Sequence, residues 1–421
     1  MSISVVDDWV RKTTGVADTD SLAEYQLNKA HKTVQYAIKK SAFYKKRLEI
    51  FRGGFKSIAE LPFTFSEDIG RFSSEMLCVS QGMVSKVFTC GTSGTTAEPK
   101  RLFFTENDKN ATIEFFYHGM AEFTSRQDTV LILFPSEKEG SIGRLLSDGL
   151  SRLGAKSLTY GIVSDFDDLL NLISAEKINV ITGLPQQILE LSRLCRHKGI
   201  SVPGLHSVLL SADYAAESLV SAVEKNLNCL VYEHYGMTET YFGGGVYSKS
   251  RDGYHLRHND FLFEIVNPLT GISVSPGEYG ELVFTSLNME AMPLIRYRTG
   301  DYARFLPHTE RFPVLGKMIV RLRGGIQLPN GHTLKITELD EAIFKNENVL
   351  DFTACFEKNV LKLYVRSLCF DAVSVLGELI NQPISAKLSG CNIEVVSACA
   401  VRQYQNTMNK RSIIVFGSTT Q

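Results

Sequence analysis

Cys-x-x-Cys pairs are missing from this chain: its eight cysteines are scattered at 78, 90, 195, 229, 355, 369, 391 and 399. Neither a zinc ribbon nor a disulfide framework follows from such spacing, and reduced, mostly buried thiols are the expectation. Long hydrophobic runs are missing too. The longest, such as Val130–Phe134, fall far short of the ~20 residues that span a bilayer. The first eleven residues carry Asp7 and Asp8 and lack a cationic flank followed by an apolar stretch, so they do not resemble a secretion signal, and a soluble, cytoplasmic protein is expected. Nor is there an excess of either charge. Lys plus Arg (45) nearly balances Asp plus Glu (46), which leaves no global field to hold a nucleic-acid backbone or an acidic membrane. Internal repeats and low-complexity tracts are absent. What is present is an ordinary enzyme composition, 44% hydrophobic and 22% charged over 421 residues, long enough for a large domain and a small one, each with its own core.

From Ser21 to Phe51 apolar residues recur at helical spacing among Lys and Glu, which predicts surface helices. Beyond Ser85, short strand-like runs alternate with helical ones: 129–134, then 141–153, 157–160, 166–175, 180–182, 185–197 and 208–211. That alternation predicts a parallel sheet flanked by helices, with ligands at the strand ends and the loops that follow them. Residues 262–266 and 281–286, joined by Asn267-Pro-Leu-Thr-Gly271 and Ser275-Pro-Gly-Glu278, predict a small antiparallel unit. After Gly316 come a helix with Glu338, Asp340 and Glu341 in its first turn, a strand at 361–365, a helix at 372–380 and a strand at 393–396. The fold class predicted is therefore α/β: a large amino-terminal domain, 1–316, and a small α+β domain, 317–421.

Three segments carry chemistry. In Phe88-Thr-Cys-Gly-Thr-Ser-Gly-Thr-Thr-Ala-Glu-Pro-Lys100, glycines let backbone N–H groups converge on an anion and hydroxyls add donors. No Lys-Ser/Thr closes it before a helix, so it is not the common nucleotide loop, and alone it is also compatible with a plain flexible Ser/Thr/Gly loop. Tyr232-Glu-His-Tyr-Gly-Met-Thr-Glu239 sets a ring that can stack on a purine, a hydroxyl that can meet a phosphate and a carboxylate that can hold a hard cation. Pro293-Leu-Ile-Arg-Tyr-Arg-Thr-Gly-Asp301 ends in a carboxylate able to accept both hydroxyls of a ribose. The alternative for Asp301 is a turn residue balanced by Arg296 and Arg298.

Together and in this order, the segments resemble the adenylate-forming superfamily of acyl-CoA synthetases, peptide-synthetase adenylation domains and luciferases. Thr92–Lys100 is similar to its Thr-Ser-Gly-Thr-Thr-Gly-x-Pro-Lys loop, Tyr235–Glu239 to its Tyr-Gly-x-Thr-Glu, and Tyr297–Asp301 to its Tyr-Arg-Thr-Gly-Asp. The stretch from Tyr254 to Phe305, with Gly277-Glu-Tyr-Gly-Glu-Leu-Val-Phe-Thr285 and Glu290-Ala-Met-Pro-Leu-Ile-Arg-Tyr-Arg-Thr299, looks most like the phenylacetate–CoA ligase branch. The resemblance implies ATP, Mg²⁺ and CoA, a small, aryl carboxylic acid as substrate, transfer to CoA or to a carrier-protein thiol, and a possible homodimer. It places Thr92, Ser93, Gly94, Thr95, Thr96 and Lys100 at the ATP phosphates. Thr238 and Glu239 fall on the α-phosphate and Mg²⁺, Tyr235 on adenine and Asp301 on ribose. Ser211, Ala212 and Asp213 match a turn lining the adenine and acyl pocket; Glu233, Gly236, Met237 and Lys317 complete the nucleotide set. Asn406-Thr-Met-Asn-Lys-Arg411 resembles the segment that delivers the catalytic lysine, which makes Lys410 the candidate; the alternative is a surface lysine on a basic tail. The small domain then acts as a mobile lid.

Three positions depart from the pattern. Ala97 replaces a loop glycine. Gly316-Lys-Met-Ile-Val-Arg321 lacks the acidic pair of the hinge, on which the domain rotation and the thiol step depend. His258 stands where the pattern has Glu, three residues after His255; a metal-binding pair or hydrogen-bonded structural histidines are the two readings, and the second is favoured for want of a third ligand.

Overall fold

The structure is a computed structural model that describes residues 3–90, 99–307, 309, 311–318, 320–321 (backbone only), 324–398 and 411–415. The chain divides into two compact units, one of residues 1–125, 144–154 and 234–322, the other of residues 126–143, 155–233 and 323–421.

In the second unit the predicted alternation becomes a parallel sheet. Lys156–Thr159, Thr129–Leu133, Val180–Gly183, Ser207–Leu210 and the strand Leu230–Tyr235, as far as Glu233, lie side by side in that order. The middle strands are buried on both faces, as a helix-covered parallel sheet requires. Helices Phe166–Ala175, Pro185–Lys198 and Glu217–Leu227 alternate with them. Asp165 caps the first through the N–H groups of Asp167 and Asp168, Pro185 opens the second, and Gly199 closes it at φ 66°, the conformation a helix C-terminus favours in glycine.

The same unit holds a sheet of Asn392–Ser397, Val360–Ser367, Val349–Glu357 and Ile414–Val415. Helices Ile336–Ile343, Ala372–Ile380 and Ile384–Leu388 belong with it. Its apolar residues, among them Leu339, Phe352 and Leu363, join those of the parallel layer in one continuous core. A buried guanidinium fastens the two layers. Arg193, 1% exposed, donates to the carbonyls of Phe344 (2.6 Å) and Val349, and burial pulls its pKa down to about 10. Arg366 pairs with Glu190 nearby.

The first unit opens with helices Val5–Thr14, Thr19–Lys40 and Ala42–Leu48. Asp18 and Ser21 cap the second reciprocally, and its inward face buries Leu22, Ala30, Val34 and Ile38. Lys86–Cys90 and Lys100–Phe104 form an antiparallel hairpin with Cys90 opposite Lys100. Thr105 and Asp108 form a capping box at the start of Glu106–Met120. Asp108 also accepts from the backbone N–H groups of Glu290 (2.7 Å) and Ala291 (3.1 Å), which fixes the chain entering the third motif.

The predicted antiparallel unit is a sheet of Phe261–Val266, Gly280–Ser286, Tyr297–Ala303 and Val320–Arg321. Along Tyr297–Ala303 every second residue is buried, so Tyr297, Thr299 and Asp301 share one face. Four of the seven described cysteines (Cys78, Cys195, Cys229 and Cys355) are buried, and all seven are free thiols. No described helix is long and apolar enough to cross a membrane.

Candidate active site

Lys100, Tyr235, Gly236, Met237, Thr238, Glu239, Asp301 and Lys317 belong to the first unit; Ser211, Ala212, Asp213 and Glu233 belong to the second. Thr92 to Thr96 and Lys410 lie outside the described residues.

In the first unit the three motifs meet. Lys100, at the base of the hairpin, donates through Nζ to Glu239 Oε1 at 3.2 Å and to the Tyr297 hydroxyl at 3.5 Å. Tyr297 donates to the same Oε1 at 2.8 Å. The side chains of Lys100 and Glu239 are 17% and 9% exposed, so the pair is largely screened from water and strengthened by it. Among the described residues both side-chain hydrogen bonds of Glu239 end on Oε1, which leaves Oε2 for a further ligand. A hard cation accepts such a carboxylate oxygen, so the residues fit Mg²⁺. Burial raises the Cys90 pKa, and the Glu239 carboxylate raises it further.

The second and third motifs also meet through Tyr235, whose hydroxyl donates to Asp301 Oδ2 at 3.0 Å. An aromatic body beside a carboxylate suits a nucleoside, ring to base and carboxylate to ribose. The alternative in which Arg296 and Arg298 balance Asp301 gives way, because both arginines are committed elsewhere. Arg296 grips Glu264 through two bonds of 2.9 and 3.1 Å, and Arg298 pairs with Glu281.

Residues 236 to 244 fold back on themselves. Phe242 N–H returns to the Met237 carbonyl at 2.8 Å, and Gly244 N–H to that of Tyr235 at 3.1 Å. Tyr241 and Phe242 hold φ of 49° and 66°, unusual for bulky residues and a store of strain beside the site.

In the second unit, Ser211 is buried and Ala212 holds φ 73°, a conformation costing a non-glycine residue about 1 kcal/mol. Asp213 Oδ1 accepts from Tyr214 N–H at 2.9 Å, and its Oδ2 from Arg411 N–H at 3.4 Å. The Arg411 guanidinium pairs with Asp340 and, at 3.5 Å, with Asp351. Burial pushes the Asp340 carboxyl up to about 7 against the opposing pull of Arg411. Glu233 is buried at the end of the parallel sheet.

Both ring nitrogens of His255 face carboxylates, Nδ1 to Asp7 at 2.8 Å and Nε2 to Asp252 at 3.2 Å. His258 Nε2 meets the Pro313 carbonyl at 2.9 Å. Burial alone would lower the pKa of His255, but the hydrogen bonds and charges of Asp252 and Asp7 more than offset it, raising the value to about 10. A histidine raised in the folded state stabilises fully below its unfolded pKa, ~6.5, and the contribution is lost as pH climbs through the folded one. The urea midpoint is therefore expected to fall between pH 7 and about 10, and His255→Gln to flatten that dependence; equal slopes for both proteins would contradict the assignment.

Tyr297 is a site residue absent from the sequence-derived candidates. The signal was available in the two-residue period of its strand, which puts it on the face of Asp301.

The chain matches the family model described as AMP-binding enzyme over residues 17–291. It is 27% identical over 349 residues to the phenylacetate-coenzyme A ligase of Pseudomonas putida, covering 78% of this chain and 77% of that protein. Against the phenylacetate-coenzyme A ligase of Escherichia coli it is 25% identical over 355 residues, covering 79% and 78%. Among solved structures, a 2-hydroxyisobutyryl-CoA ligase in the postadenylation state superposes with a TM-score of 0.76 at 19% identity, covering 93% of this chain and 89% of the other.

Proposed function

The chain belongs to the AMP-binding enzyme family, and from that premise we propose that this AMP-forming acid ligase activates a small, aryl carboxylic acid as its acyl-AMP and passes the acyl group to CoA. The observation that carries the reading is the meeting of Lys100, Glu239 and Tyr297 beside the Tyr235–Asp301 pair in one unit. The relatives named phenylacetate-coenzyme A ligase support the aryl acid and the CoA acceptor.

In the first reaction a carboxylate oxygen of the substrate forms a bond to the α-phosphorus of ATP, the bond to the bridging oxygen breaks, and pyrophosphate leaves. The carboxylate is already a nucleophile, so no general base is required, and positioning with charge neutralisation supplies the rate. Glu239 would hold Mg²⁺, which when bound offsets charge on the phosphates. Tyr235 and Asp301 would seat adenine and ribose, Lys100 and the hydroxyl-rich segment at 92–96 the phosphates. Gly236, Met237 and Lys317 would complete the nucleotide surroundings in the same unit. In the second reaction, after residues 317–421 swing about a hinge near Gly316, the CoA thiol gives up its proton to solvent, its sulfur bonds to the acyl carbon, the bond from that carbon to the phosphate oxygen breaks, and AMP leaves.

A pyrophosphate-exchange screen over aryl and aliphatic acids, followed by thioester assays, tests this. Exchange with an aryl acid and AMP-forming thioester synthesis are expected; no exchange with any acid would leave a nucleotide-binding module without catalysis. Lys410 is the proposed cation at the transferring phosphorus. Lys410→Ala is expected to slow adenylate formation by ~100-fold or more while thiolysis of supplied acyl-AMP persists; an unimpaired variant removes Lys410 from the mechanism.

A second reading has its own support. The 316–321 segment lacks the acidic hinge pair, and Arg193 and Arg366 hold the carboxy-terminal layer to helix Pro185–Lys198, contacts that a swing would have to break. These favour an adenylating enzyme that delivers its acyl group to a carrier protein or another acceptor. Thioester formation with a pantetheine carrier but not with CoA would establish it.

A further inference from the structure

Glu239 can serve a cation only if its carboxylate is held still. Left to itself, a glutamate rotates about its terminal torsion and presents either oxygen. Here Oε1 is occupied twice, by the Tyr297 hydroxyl at 2.8 Å and by Lys100 Nζ at 3.2 Å, while Oε2 has no partner among the described residues.

Tyr297 is rigid enough to impose that orientation. It is 2% exposed, and its ring packs on Phe284 with centroids 5.4 Å apart. Its backbone is pinned on both sides by Thr64, whose N–H donates to the Arg296 carbonyl at 3.0 Å and whose carbonyl accepts from Arg298 N–H at 3.0 Å. Lys100 cannot do the same alone, because an ammonium on a four-carbon stem is a mobile point charge.

We infer that Tyr297 is a positioning residue whose hydroxyl locks Glu239 through Oε1 and thereby turns Oε2 toward the divalent cation. The inference rests on the reading of Glu239 as the Mg²⁺ ligand. Partners of this kind, bonded to a ligand rather than to the metal, set metal affinity by orienting the ligand and raising or lowering its basicity.

The test is Tyr297→Phe, which keeps the ring and removes the donor. Binding of Mn²⁺ in the presence of ATP, followed by electron paramagnetic resonance, is expected to weaken ~10-fold, the usual effect of losing such a partner. The Mg²⁺ midpoint of pyrophosphate exchange should rise by the same factor, with KM for the acid unmoved. In a Glu239→Gln background the same change should add nothing to either readout, because Tyr297 acts through the carboxylate. Replacing Tyr297 by p-aminophenylalanine, which restores a donor at the ring's end, should recover most of the affinity.

A Tyr297→Phe protein with unchanged Mn²⁺ binding overturns the inference. So does an equal loss in the Glu239→Gln background, or a protein that no longer folds, since each assigns the hydroxyl a purely structural role. A wild-type protein that binds no Mn²⁺ with ATP present would instead sink the nucleotide reading itself.

Discussion

Glu239→Gln is expected to lower Mg²⁺-dependent pyrophosphate exchange by roughly two to three orders of magnitude, the scale of removing one preorganised electrostatic contact from an active site. The amide keeps the size and the oxygen that Tyr297 and Lys100 bond, so the loop should hold its shape. What disappears is the negative charge. Lys100, 17% exposed in its side chain, then loses its counter-charge, and the cation loses a ligand that neutralises it. The fold should tolerate the change with a loss near 1 kcal/mol, because Lys100 keeps partial access to water. Exchange rates across a Mg²⁺ titration, with a urea melt in parallel, measure both parts. A variant with wild-type rate and wild-type Mg²⁺ dependence would remove Glu239 from the metal site.

Gly236→Ala is expected to destabilise the protein by about 2 to 3 kcal/mol, as overpacking a closed interior does, and to slow adenylation by ~100-fold, as misplacing catalytic groups does. A Cβ built at Gly236 would lie 1.9 Å from the Phe242 carbonyl oxygen, 2.6 Å from its carbon and 2.8 Å from His234 Cε1. Two of these atoms are backbone, so no side-chain rotation relieves the clash. The turn from Met237 to Phe242 would have to open, breaking the 2.8 Å bond between Phe242 N–H and the Met237 carbonyl and carrying Glu239 away from Lys100 and Tyr297. Urea unfolding and pyrophosphate exchange on one preparation measure both effects. A stable, active alanine variant would mean that the chain does not double back here.

Much of the fold was legible because it is local. The helices at 166–175 and 372–380 carry their own periodicity and caps, and their boundaries coincide with the observed Phe166–Ala175 and Ala372–Ile380. The strands of the parallel layer announce themselves as short apolar runs between turn residues. Val349–Glu357 does not, because most of its residues are buried on both faces, which erases the alternation that marks a half-buried strand. The helix Glu217–Leu227 was likewise missed; its N-terminal cap position is Ala216, with no side-chain cap of its own. Instead Glu341, from another helix, accepts from the Glu217 N–H at 3.0 and 3.1 Å, a signal that no local window contains.

The candidate site divides along the same line. By itself the sequence determined which residue types were available and in what order: a hydroxyl-rich loop, an aromatic-to-carboxylate turn and a strand ending in Asp301, since backbone freedom, side-chain chemistry and short-range spacing are properties of neighbours along the chain. Only tertiary structure decided the partnerships. Lys100 finds Glu239 across 139 positions and Tyr297 finds it across 58, while Arg296 and Arg298 turn to Glu264 and Glu281 rather than to Asp301. Those choices come from packing the motif-bearing segments around shared buried ground, where each polar atom must find a partner or lose its hydration uncompensated, and that requirement acts on distances in space, not on distances in sequence.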